Sequence, residues 1–176
     1  NVRDWVGGLR IVYGEIQVLA NNNGADIAHS QAPGSIAWKA IKGDDGSLIE
    51  PNGSGTTPGS VKMDWNGSAL VYSTTITDAN PGSHSCSFGS ITADSSVGEN
   101  ARLLLMSLGL LPRDSDVLSK THLCYFNNEE QERLFNCGGN WNSTARGLAS
   151  FSGDHSRSHA LTNIGFRAAY VELPAA

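Results

Sequence analysis

Residues 137–170 read CGGNWNSTARGLASFSGDHSRSHALTNIGFRAAY, and the fold expected of the chain turns on them. The stretch opens on Gly138-Gly139-Asn140-Trp141-Asn142 and closes on Asn163-Ile164-Gly165-Phe166-Arg167. Between these ends the residues are nearly all small or polar, among them Ser143, Arg146, Ser152, Asp154, His155, Arg157 and His159. Leu148, Phe151 and Leu161 are the sizeable apolar residues of the middle. A packed helix or strand needs an apolar face repeating every 3.6 or 2 residues, and the middle shows neither period. The ends do read as packed: Trp141 follows paired glycines, and Ile164, Phe166, Ala168, Tyr170 and Leu173 nearly alternate. The expected arrangement is a displayed polar loop held between two core-anchored elements, with Trp141 and Phe166 as its clamps.

The chain around this stretch has 176 residues, 20 of them glycine, with 16% charged residues and a net charge of −5. That length can bury one useful core. Abundant glycine and sparse charge suit a loop-rich β or α+β domain better than a helical bundle. An acidic balance without a basic run argues against a nucleic-acid partner. The longest apolar run, Leu103-Leu104-Leu105-Met106, is far too short to cross a bilayer as a helix, so no membrane insertion is expected. Cys86, Cys124 and Cys137 are odd in number and irregularly spaced, so free, buried thiols are expected.

In chain order, Trp5-Val6 reads as a short buried piece ending in a turn at Gly7-Gly8. Leu9–Tyr13 and Ile16–Leu19 read as a hairpin across Gly14-Glu15. Ile36–Ile41, holding Trp38, is a predicted strand. Val61–Trp65 and Ala69–Ile76 form the clearest predicted hairpin, with Asn66-Gly67 suggesting a type I′ turn. Residues 20–96 read as an insertion of hairpins and loops within one domain spanning residues 1–176. Asn100 is the predicted cap of a helix over Ala101–Leu108, which Gly109 and Pro112 stop. His122–Phe126 is a predicted short strand, and Glu129, Glu130 and Glu132 belong to a solvated acidic turn.

The GGNWN opening and NIGFR closing resemble the end of a C-type-lectin fold shared by two related groups. These are the sulfatase-modifying (formylglycine-generating) family and the variable proteins of diversity-generating retroelements, best known as phage tropism determinants. Asn1-Val2-Arg3-Asp4-Trp5-Val6 is similar to their shared GNVWEWV motif, with Arg3 and Asp4 at two departures. The resemblance covers about the first ten residues and everything from Gly109 onward. It implies an α+β C-type-lectin domain, chiefly its C-terminal portion, carrying the long hairpin insertion. Because the GNVWEWV motif sits midway through that fold, an N-terminal half is expected upstream.

The enzyme branch needs a cysteine pair between the Gly-Gly and Gly-Phe-Arg elements, and residues 138–167 contain no cysteine. The variable-protein branch implies instead that residues 138–167 are a diversified ligand-binding segment. In that family the segment is rich in Asn, because the mutated bases are adenines of Asn codons. Ser143, Arg146, His159 and Leu161 stand where the pattern has Asn, as do Ser152, Asp154 and His155. Each of these residue types is reachable from an Asn codon by changing adenines alone. Asn140, Asn142 and Asn163 would be Asn positions left unchanged or held for structure. The implied ligand-binding residues are therefore Asn140, Asn142, Ser143, Arg146, Phe151, Ser152, Asp154, His155, His159 and Leu161, with Phe151 as an exposed aromatic anchor. The implied partner is a host-surface protein or glycan. The implied setting is a phage tail or a bacterial cell surface, with a homo-oligomer such as a trimer on a tail fibre.

Other chemistries fit the residues less well. His155 and His159 lie four apart, a metal-ligating spacing only on a helix, which Gly153 and the neighbouring serines disfavour. Asp154-His155 beside Ser152 or Ser156 matches a catalytic triad in composition alone. Glu50-Pro51-Asn52 imitates a calcium lectin's sugar-binding triplet, yet Trp141-Asn142 is followed by Ser143 where a carboxylate ligand is needed. Trp5, Trp38, Trp65 and Trp141 are mostly expected in the core. Neither an enzyme nor a cofactor or metal is expected. The alternatives are a sulfatase-modifying-type enzyme and a virion or cell-surface decoration domain that binds nothing in particular.

Overall fold

The computed structural model describes residues 2–20, 31–113, 122–141, 144, 146–147 and 149–165. Within them the strands are β1 (Arg3–Val12), β2 (Glu15–Leu19), β3 (Trp38–Ile41), β4 (Leu48–Ile49), β5 (Lys62–Trp65) and β6 (Leu70–Ser73). They continue with β7 (Ser83–Ser87), β8 (Thr92–Ala93), β9 (Leu123–Asn127), β10 (Arg133–Cys137), β11 (Phe151–His155) and β12 (Ile164–Gly165). One helix, α1 (Glu99–Ser107), lies between β8 and β9 among the described residues. The strands join in one sheet with the order β7-β9-β11-β10-β1-β2-β5-β6-β8; β12 pairs with β1, and β3 with β2 and β4. Most pairs are antiparallel, while β1/β12, β9/β11 and β6/β8 are parallel.

This corrects the α+β class expected from the sequence. Strand makes up 39% of the described residues and helix 8%, and the architecture is a large mixed sheet. Of residues 20–96, read as an insertion, residues 31–96 build β3 to β8 and supply Ile41, Val61, Met63, Leu70 and Tyr72 to the common core. The helix signal was local and correct in kind, but α1 adds only Ala101 and Leu105 as fully buried residues. Its cap is Gly98, not Asn100: a Cβ on Gly98 would stand 2.1 Å from the Asp44 carbonyl oxygen.

The β1–β2 hairpin turns on Tyr13 and Gly14, whose φ values of 48° and 83° fit the type I′ geometry. The β5–β6 turn does not, because of its residues only Gly67 has a positive φ. Asn66 instead folds its side-chain oxygen back to accept from the amides of Ser68 and Ala69. The predicted turn at Gly7-Gly8 is also absent. β1 runs through it, with the register against β10 shifting between Trp5 and Arg10 and Gly8 at φ 79°.

The largest departure is β11. Residues 151–155, expected in a displayed loop, form an interior strand between β9 and β10. Phe151 is 2% exposed and meets Phe135 and Phe88 edge-on, with ring centroids 5.7 and 6.4 Å apart. Gly153 is buried too, and a Cβ there would lie 2.6 Å from the Ile11 side chain. So Phe151-Ser152-Gly153-Asp154 does alternate, with glycine standing where the core has no room for a side chain. The three thiols are free, Cys86 and Cys124 buried and Cys137 half-buried.

Candidate functional site

Strand register places a polar row on the sheet face opposite Phe151 and Gly153. Trp5 pairs with Asn136, Asn136 with Ser152, and Ser152 with Tyr125, so their side chains lie side by side. Arg3 and Asp154, each two residues along its strand, share that face. Arg146 and His159, which flank β11, and His155 at its C-terminal end complete the group. The Arg146 guanidinium sits 4.4 Å over the Tyr125 ring. His155 meets Trp5 edge-on at 6.3 Å and stacks on His159 at 4.3 Å, with the two rings within 4° of parallel.

Buried side-chain atoms without a hydrogen-bond partner concentrate here. They include Arg3 Nε, Asn136 Nδ2 and Oδ1, Arg146 Nη1, His155 Nε2 and His159 Nε2. Asn136 is fully buried and Arg3 is 5% exposed. An unpaired buried polar group costs about 1–3 kcal/mol, so such a concentration on one face marks it as built for polar contacts beyond the fold's own.

The electrostatics follow from this crowding. Burial pushes the Arg3 guanidinium down from its ordinary value and Arg146 adds to that, while Asp154 opposes it. Burial likewise pushes the His155 imidazole down; Asp154 pulls it up, and His159, Arg3 and Arg146 push it further down. Asp154 accepts a short hydrogen bond from the Ser152 hydroxyl, and His155 Nε2 lies 3.5 Å from its Oδ1. This is not a triad: the serine donates to the aspartate and has no imidazole base. The parallel stack of His155 and His159 also keeps their nitrogens from converging on one ion, and no group of three metal-ligating side chains occurs among the described residues.

The expected ligand residues thus divide. Phe151 and Ser152 are buried frame residues and Phe151 is no exposed anchor. Asn140 is buried, and Arg146, Asp154, His155 and His159 are half-buried around the polar row. Leu161 is exposed, at 46%. Asn142 and Ser143 lie outside the described residues. Trp141, expected as a clamp, is 70% exposed, and Phe166 also lies outside the described residues. Glu132, expected in a solvated turn, instead bridges Arg10 at 2.9 Å and Arg157 at 3.0 Å. Glu50 binds Lys39, and Asn52 closes a local turn through Ser54.

Sequence reading missed Arg3, Tyr125 and Asn136. Only Arg3 carried a signal, as the odd residue in its motif; the other two needed the strand register. In comparisons with protein-family models and with curated proteins, nothing matches the chain.

Proposed function

We propose that the chain is a ligand-binding protein of the retroelement-diversified kind, recognising a host-surface molecule from a phage tail or bacterial surface. The observation that carries the reading is the concentration of unpartnered polar atoms on residues 146, 155 and 159, beside Arg3 and Asn136. Exposed Trp141 and Leu161 lie along the same segment and supply apolar contact area. The binding set is narrower than the sequence implied. Phe151, Ser152 and Gly153 are the rigid strand that carries the surface, and recognition falls to the residues flanking it.

Sequencing the DNA that flanks the gene tests the diversification directly. The expected result is a near-identical template repeat with Asn codons at Ser143, Arg146, His159 and Leu161, differing from this chain only at adenines. A flank without such a repeat removes the retroelement from the proposal. The burial of β11 favours one other reading, a decoration domain whose tail segment is structural throughout.

A further inference from the structure

We propose that the polar row is an oxyanion site, and that the ligand is an acidic saccharide whose carboxylate or sulfate group Arg146, Arg3, His155 and His159 receive. The inference rests on the recognition reading for the source of the anion, and on geometry for the site itself.

Cationic and donor groups here outnumber the acceptors. Two guanidiniums and two imidazoles face one carboxylate, Asp154, which already accepts from Ser152. Asp4 lies on the opposite face, in register with Cys137. Glu132 is held by Arg10 and Arg157. Among the described residues, neither Arg3 nor Arg146 forms an ion pair with a carboxylate. Stacking on Tyr125 occupies the flat face of the Arg146 guanidinium and leaves its N–H edge for an acceptor in the plane, as planar oxyanion recognition requires. Nη1 on that edge is buried and unpartnered. An anion would also relieve the repulsion between Arg3 and Arg146. The saccharide follows from Trp141, which adjoins Asn140 in sequence and is 70% exposed. Its indole offers a broad apolar face for the C–H side of a sugar ring.

Two titrations test the proposal on the intact chain. In the first, sulfate replaces chloride at constant ionic strength. The melting temperature should rise to a plateau, and Arg146→Gln should weaken the apparent sulfate affinity about tenfold, as loss of a charge-assisted hydrogen bond does. If Arg146→Gln unfolds, His159→Gln reads the same site. In the second, lactose is compared with its sialylated and sulfated forms. Preference for the acidic forms that disappears in Arg146→Gln supports the proposal. Equal binding of neutral and acidic sugars overturns it, as does sulfate binding without any sugar preference, which is an adventitious ion only. Attachment to bacterial cells that survives Arg146→Gln also overturns the acidic-saccharide site and leaves the recognition reading standing. An acidic-sugar preference without cell attachment does the reverse.

Discussion

Phe151 and Trp141 exchange the roles that their neighbours suggest. Phe151 sits among serines and glycine and is buried against Phe135 and Phe88, while Trp141 follows paired glycines and stands in solvent. Phe151→Ala should therefore destabilise the protein by roughly 3–5 kcal/mol in chemical denaturation, the range for emptying an aromatic core position. Trp141→Ala should stay within about 0.5 kcal/mol of the parent. Equal costs would contradict the placement of both. His155 gives a pH prediction. Its folded pKa is depressed, chiefly by burial and then by His159, Arg3 and Arg146 against the pull of Asp154. The unfolded chain consequently takes up the proton first on acidification. The group's contribution to stability is complete above its unfolded value of about 6.5 and declines below it, levelling off once the folded value is passed. His155→Gln should accordingly lose less stability than the parent between about pH 7.5 and about pH 5.5. Parallel losses would show that His155 is not the titrating group.

At the scale of elements, what was legible in the sequence is what local chemistry decides. The β1–β2 and β5–β6 hairpins, the Trp38 strand and the helix before Gly109 were all foreseen from turn residues and apolar periodicity. β11 was not, because its alternation is completed by Gly153, and a missing side chain carries no hydrophobic signal. The polar row escaped for another reason: its members come from four strands, and only register brings Trp5, Asn136, Ser152 and Tyr125 abreast. Gly153→Ala tests the strand assignment. The added methyl group meets Ile11 and Phe135, and overpacking should cost about 1–3 kcal/mol. A neutral result in thermal melts would place residue 153 in a loop after all. Glu132 ties β10 to β1 and to the turn after β11 through Arg10 and Arg157. Burial pushes its carboxyl up, but hydrogen bonds from Arg157 and Arg10 outweigh this and hold it below the usual range. Glu132→Gln would leave two guanidiniums facing each other and should cost about 2 kcal/mol at neutral pH. The difference should shrink as acidification protonates the parent's carboxylate, and a pH-independent difference would refute the ion-pair account.

For the whole molecule, one sheet carries two unlike faces. Residues of β1, β2, β3, β5, β6, β7, β9, β10, β11 and α1 join in a common core. The opposite face, across β1, β10, β11 and β9, holds polar atoms, such as Arg3 Nε and both side-chain atoms of Asn136, that have no hydrogen-bond partner among the described residues. On the proposed function, that division would let recognition change without loss of stability, provided the changes fall outside Phe151, Ser152 and Gly153. Sequencing residues 137–170 in sibling isolates tests this claim most directly. The account predicts that adenine-derived changes gather at Ser143, Arg146, His159 and Leu161, while Phe151, Ser152 and Gly153 stay constant. Substitutions spread evenly through the stretch, or reaching residues 151–153 as often as its flanks, would contradict it.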